Sequence, residues 1–279
     1  MISLGHHYIE IALLLRDSMF VNGILNNAEV WYDLTKAEIA EFDELDRLLL
    51  RKILQVPIST PKEAYYLELG IIPLSVIIKA RRINFLHYLL GRNESEMLHQ
   101  FFVTQWNNPT TGDWTETVKA DLEDFEIPVD LAHIKSKSKN SFKNSVKLQA
   151  KEYTLKLLQS EQERHSKMSN VTYPELKTQS YFTLPGIQVH QIRNVFKFRT
   201  RMAQFGENFR GQGGVAICPL CNNHLDNQAM SFQCPALKSL ININCGITDI
   251  YKEDVTLEAA QTVTQIIKIR EKLIEEKGS

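Results

Sequence analysis

The chain has 279 residues, enough for one large domain or two ordinary ones. A hydrophobic fraction of 43% and a charged fraction of 23% exclude wholesale disorder, and 12 Gly with 9 Pro exclude collagen-like and proline-rich classes. Lys and Arg number 32 against 33 Asp and Glu, a net charge of −1, so no global field draws the chain onto nucleic acid and any such binding must come from local patches.

Residues 7–21 read as a short helix. Its apolar run Ile11–Leu15 is followed by Arg16 and Asp17 without a small-residue cleavage site, and a bilayer span needs roughly 20 apolar residues. We therefore expect neither a membrane span nor a secretory leader. Thr35 followed three residues later by Glu38 predicts a capping box. From there Phe42, Leu45, Leu49 and Ile53 recur at helical spacing, and Pro57 stops the helix. Ser59 and Thr60 ahead of Pro61 predict a short helix ending at Gly70, and Pro73 opens an apolar helix to about Leu90 carrying Lys79, Arg81 and Arg82, three candidate nucleic-acid contacts.

The next helical stretch runs from Glu94 to about Phe125, broken at Asn107-Asn108-Pro109, with Asp113 capping and Trp114 packing. Its end is acidic and the polarity then reverses. Lys135, Lys139, Lys143, Lys147 and Lys151 recur every four residues, with no acid among them. On one helix these five would line one face over about 24 Å and could follow a phosphate backbone; the plainer reading is a solvated face. Residues 161–188 are polar and poorly periodic and read as a connection. From His190 to Phe205 the pattern is a basic-aromatic helix, in which Arg193, Lys197, Arg199 and Arg201 are candidate nucleic-acid contacts. Phe196 and Phe198 could stack on bases but at this spacing suit a core. A last helix is predicted from about Thr256 to Lys277. The whole divides into a helical bundle over 1–92, a helical and basic connection over 93–189, a basic-aromatic helix with a cysteine segment over 190–247 and a terminal helix over 248–279. The fold class is mainly α.

All four cysteines lie between 218 and 245, which favours a reducing, intracellular setting and a metal site over disulfides. Cys218-Pro-Leu-Cys221 puts two thiolates on one turn, and His224 and Cys234 can complete a Zn²⁺ tetrahedron. His224 follows Cys221 closely, so Cys245 is an alternative fourth ligand. No acid–base partner accompanies the cluster, and no nucleophile elbow, Walker loop or dinucleotide fingerprint occurs, so we expect neither catalysis nor a small-molecule substrate.

Several separated blocks resemble one known family. The run Ile24–Tyr32, then Leu49–Leu54, Ser59–Ala64, Tyr66–Gly70 and Ile78–Arg82, is similar to the tail of reverse transcriptases encoded by non-LTR retrotransposons. So are Gln105-Trp106 with Gly112-Asp113-Trp114, Phe198–Met202, and Cys218–Cys221 with Gln233-Cys234-Pro235. The resemblance implies a helical thumb, a basic linker and a zinc-knuckle-like segment, with RNA or DNA as partner, either a template–primer duplex or element RNA. It implies a fragment, since the palm motifs are missing. Polymerase chemistry needs paired aspartates to hold two metal ions, and no Asp-Asp dipeptide occurs in the chain. Where many relatives carry the knuckle histidine, five residues before the last cysteine, this chain has Ala229. The alternative of a different class is a helical protein-interaction scaffold.

Overall fold

The computed structural model describes residues 7–164, 166–212 and 217–278. Helix accounts for about 65% of the described residues and no strand forms among them, so the architecture is mainly α. The helices are α1 (His7–Leu15), α2 (Asn22–Ile24), α3 (Lys36–Leu54), α4 (Lys62–Leu69), α5 (Leu74–Leu90), α6 (Met97–Asn107), α7 (Trp114–Asp124) and α8 (Leu131–Ser136). They continue as α9 (Lys139–Gln162), α10 (Val189–Arg199), α11 (Gln228–Ser231), α12 (Pro235–Lys238), α13 (Ile247–Tyr251) and α14 (Leu257–Gly278). No helix among the described residues is long and apolar enough to cross a membrane.

Local chemistry explains most boundaries. At α3 the Thr35 backbone N–H donates to Glu38 Oε2 at 2.8 Å and the Glu38 N–H donates to Thr35 Oγ1 at 3.2 Å, the reciprocal capping box the sequence predicts. Asp113 caps α7 by accepting from the Glu116 N–H at 2.9 Å. Asp130 caps α8 through the N–H groups of Ala132 and His133. The predicted helix over 7–21 runs on to Ile24, widening to a π-helical turn at Arg16–Val21. There Arg16 is carried inward to make a two-pronged contact with Asp46, at 2.7 and 2.6 Å.

The chain divides into two interleaved compact units. Unit 1 joins Met1–Leu14, Leu49–Gly70 and Gln159–Ser279; unit 2 joins Leu15–Leu48 and Ile71–Leu158. This differs from the four sequential segments read from the sequence, because α3 and α9 each pass from one unit into the other without interruption.

In unit 2, α5 is the central helix. Its Val76, Ile83, Leu86, Leu89 and Leu90 meet Phe102 of α6, Trp114, Val118 and Leu122 of α7, and Phe142, Val146 and Ala150 of α9 in one buried cluster. A smaller cluster joins Leu74 and Ile78 to Val21, Leu25 and Ala28. In unit 1, α10 packs chiefly on α14, and α13 touches both. Gly70 ends α4 at φ +65°, and a Cβ there would sit 2.0 Å from the Lys177 carbonyl carbon and 2.1 Å from the Thr178 nitrogen. Only glycine lets residues 177–179 lie against the end of α4, where the Gln179 N–H donates to the Glu68 carbonyl at 3.0 Å.

Candidate metal centre and basic surfaces

The cysteine segment is a tight loop closed by an isolated antiparallel bridge between Ile217 and Leu225. The Cys218 N–H donates to the His224 carbonyl at 2.8 Å, and the Asn222 N–H to the Cys218 carbonyl at 2.9 Å, with Asn222 at φ +53°. Cys234 stands at the start of α12, directly before Pro235. This geometry gathers the sulfurs of Cys218, Cys221 and Cys234 within 4.8 Å of one another. Cys218 Sγ and Cys234 Sγ are 4.0 Å apart, close to the separation of about 3.8 Å that tetrahedral Zn–S bonds of about 2.3 Å require.

The donors are soft, and their surroundings favour the thiolate at Cys221 and oppose it at Cys234. Burial pushes Cys221 up, but the N–H groups of Asn223 and His224, with the neighbouring thiols, outweigh it and hold this thiol below its usual value. Burial pushes Cys234 up to about 11, against donation from the Leu237 and Ala236 N–H groups. Coordination by a cation would reverse that penalty, since a bound metal deprotonates its thiols outright. Of the four predicted ligands the structure assembles three. His224 supplies its backbone carbonyl to the loop, and its ring is outside the thiol cluster. Cys245 lies elsewhere, against Thr262 of α14, where burial together with Asp249 and Glu258 raises its thiol. The three cysteines can hold a metal ion, and neither candidate for the fourth position is in place among the described residues.

The loop is anchored from below by Arg270 of α14, which reaches Asp226 at 2.7 Å and lies over the Phe205 ring at 4.9 Å from its centroid. Asn227 caps α11 by accepting from the Met230 N–H at 2.8 Å.

The predicted basic residues meet three fates. In unit 1, Arg199 is wholly buried and is no surface contact. Its Nε donates to both oxygens of Glu68 at 2.8 and 3.1 Å, Nη1 to the carbonyls of Ile250 and Lys252 at 2.6 and 2.8 Å, and Nη2 to Gln179 at 3.1 Å. The hydroxyls of Tyr173 and Tyr181 donate to the same carboxylate at 2.6 and 2.9 Å. Burial works against the guanidinium charge, but Glu68 outweighs it and Arg199 stays ionised. Arg201, at φ +53°, lies just beyond α10, which ends at Arg199 and not near Phe205. Phe196 and Phe198 are core: Phe198 stands edge-on to Phe205 and Phe232, and Phe196 lies beside Tyr65. Arg193 donates to the Ile53 carbonyl at 3.1 Å and covers the Tyr8 ring. Lys197 is half-buried, which lowers its basicity.

In unit 2 the α5 bases are mostly compensated. Arg82 is buried against Asp121, at 2.6 and 3.0 Å. Lys79 bridges Asp121 and Asp124. Arg81 donates to the Leu25 carbonyl and to Asn22 Oδ1 and forms no ion pair among the described residues. The lysine row is not one helix: Lys137 is extended (ψ 140°), so Lys135 belongs to α8, where it lies 3.7 Å from Glu94. Lys139, Lys143, Lys147 and Lys151 remain on α9, and none forms an ion pair among the described residues. Three of them follow the buried Phe142, Val146 and Ala150 by one position, so the row runs along the edge of the helix's buried stripe.

No family model, curated protein or solved structure matches this chain.

Proposed function

We propose that this chain is a non-catalytic nucleic-acid-binding protein. Its cysteine segment is held by one Zn²⁺ and its binding face is the lysine row of α9. The observation that carries the reading is the row itself: four cations over about 18 Å of helix without a carboxylate partner among the described residues, in a unit whose Arg16, Lys79 and Arg82 are matched by Asp46, Asp121 and Asp124. The similarity to reverse-transcriptase tails supports a template–primer duplex or element RNA as the partner. Cys218, Cys221 and Cys234 would hold the zinc, with His224 or Cys245 moving in as the fourth ligand. Zinc bound there is a structural cross-link for a loop with little core of its own.

The test is binding of a labelled duplex across a salt series, on full-length protein purified without chelator and assayed for metal. We expect about one zinc per chain and an affinity that falls steeply with salt. A folded, metal-free protein overturns the zinc assignment, and affinity without salt dependence overturns the lysine face. One observation favours the interaction-scaffold reading: Met97, Leu98 and Phe101 are exposed together on α6. Failure of every nucleic acid to bind would move that reading ahead.

A further inference from the structure

We infer that the cleft between α5 and the start of α9 is a base-inserting pocket for single-stranded nucleic acid. The inference rests on the nucleic-acid reading above and deepens it.

The cleft lies wholly within unit 2. Its volume is about 710 Å³, and along α5 it is lined by Arg81, Asn84, Phe85, Tyr88 and Arg92. Arg81, Asn84, Tyr88 and Arg92 recur every three or four residues, with Phe85 beside Asn84, and so share one face of the helix and its C-terminal extension. Lys139 and Lys143 of α9 close the other side, and Glu29 is the one acid of the lining. Its floor is fixed: the His87 ring stacks on Phe142 at 4.7 Å, and His87 Nε2 bonds the Lys137 carbonyl at 2.9 Å. Both helices are therefore held at a set distance before any ligand arrives.

The lining combines the two groups that a nucleotide needs. Phe85 and Tyr88 stack at 5.7 Å with 17° between their planes, and Tyr88 is 47% exposed, unusual for so large a ring packed beside a core. The Arg92 guanidinium lies over the Tyr88 ring, 5.3 Å from its centroid, and adds a planar cation to this stack. A base can lie against such an aromatic and guanidinium platform. Around it Arg81, Arg92, Lys139 and Lys143 outnumber Glu29, and Arg92 also pairs with Glu96. Low-dielectric walls with an excess of one sign focus field on an anion, here the phosphate.

A second hollow of about 310 Å³ shares Arg81, Asn84 and Lys143 with the first and continues past Ile77, Ala80 and Lys147. The groove thus leads onward along α5 and α9 with a further lysine beside it. A free nucleotide has no use for that extension, whereas a strand places its next phosphate there. Duplex does not fit this mode, because its bases are paired and stacked.

The full-length protein should be titrated against a fluorescent oligothymidylate of about twelve nucleotides and against a hairpin duplex of similar charge. Tyr88→Leu should weaken single-strand binding at least about fivefold, the range expected for loss of one stacked base, and change duplex binding less than about twofold. Tyr88→Phe should retain the single-strand affinity, because the ring and not the hydroxyl is used. Unchanged single-strand binding by Tyr88→Leu overturns the pocket and leaves the nucleic-acid reading standing. Absence of binding to both probes by the unaltered protein overturns both. Adenosine monophosphate is the third arm: displacement of the strand at micromolar concentrations would make the cleft a free-nucleotide site and overturn the assignment to a strand.

Discussion

Arg199 of α10 and the lysines of α9 come from stretches that read alike, basic residues interleaved with apolar ones, yet they end in opposite environments. Arg199 finds Glu68, which stands 131 positions earlier in the chain, and two tyrosine hydroxyls that fill the remaining lone pairs of the carboxylate. Lys139, Lys143, Lys147 and Lys151 of α9 form no ion pair among the described residues, and the first three of them line a groove. What separates a core cation from a surface cation is whether the fold brings a distant carboxylate to it, and nothing within ten residues of either stretch reports that. A buried pair is fixed by desolvation, which makes removal of one partner costly, while an exposed row is free to exchange counterions for phosphates.

The sharpest way to break this contrast is Arg199→Met. It strands Glu68 as an uncompensated buried charge, and we expect a loss of about 3–5 kcal/mol in urea unfolding. A loss below 1 kcal/mol would mean that the network is not rigidly buried. Gly70→Ala strikes the same region through the backbone. The αL conformation alone costs about 1–2 kcal/mol for an L-residue, and the overlap with Lys177 and Thr178 adds to it. The thermal midpoint should fall by several degrees, and an unshifted midpoint would show that 177–179 can move away.

The third test reverses the expectation. Changing Lys139, Lys143, Lys147 and Lys151 to Gln should leave unfolding within about 0.5 kcal/mol, since the two residues have similar helix propensity, and should flatten the log–log salt dependence of duplex binding by about three units. An unchanged slope returns the row to a solvated face. The smallest effect is expected at Asp113, in the same unit as the row. Asp113→Ala should cost about 1 kcal/mol for the lost cap and leave the salt slope untouched. Burial pushes the Asp113 carboxyl up, but the N–H groups of Glu116 and Thr110 and the hydroxyls of Thr115 and Thr110 outweigh it and hold it well below its ordinary 3.8. Its stabilisation is therefore complete above that ordinary value and is lost as pH falls through the lowered one. The difference between Asp113→Ala and the unaltered protein should shrink in strong acid, as urea midpoints taken from pH 7 downwards would show.

Local signals were legible in the sequence and distant ones were not. Thr35 with Glu38, Gly70, Pro73 and Asp113 each act within four residues, and each sets the boundary expected of it. The Cys218–Cys221 turn was readable for the same reason, and Cys234 joins it from sixteen residues away. The fourth ligand was not readable, because the path from Cys221 to His224 or Cys245 depends on loop geometry that spacing does not encode. The break at Lys137 was missed: no Gly or Pro marks it, and the signal present was Asp130, whose cap starts a separate short helix. Glu68 gave a faint hint as an acid inside Ala64–Leu69, a run buried throughout. Its partner could be named only once residues 173, 179, 181 and 199 had been brought around it.

The interleaving of the two units has a consequence for synthesis on the ribosome. Every residue of unit 2 has been made by Leu158, whereas the Arg199 network also needs the carbonyl of Lys252. At about 5–20 residues per second, the network around Glu68 and Arg199 waits roughly 5–20 s after unit 2 is complete before its last member exists. At the start of that interval α4 has none of Tyr173, Tyr181 and Arg199, the groups that later bond Glu68. A nascent chain released after Leu158 would carry a finished lysine groove beside an orphaned α4, a species whose protease sensitivity would be concentrated between Leu49 and Gly70.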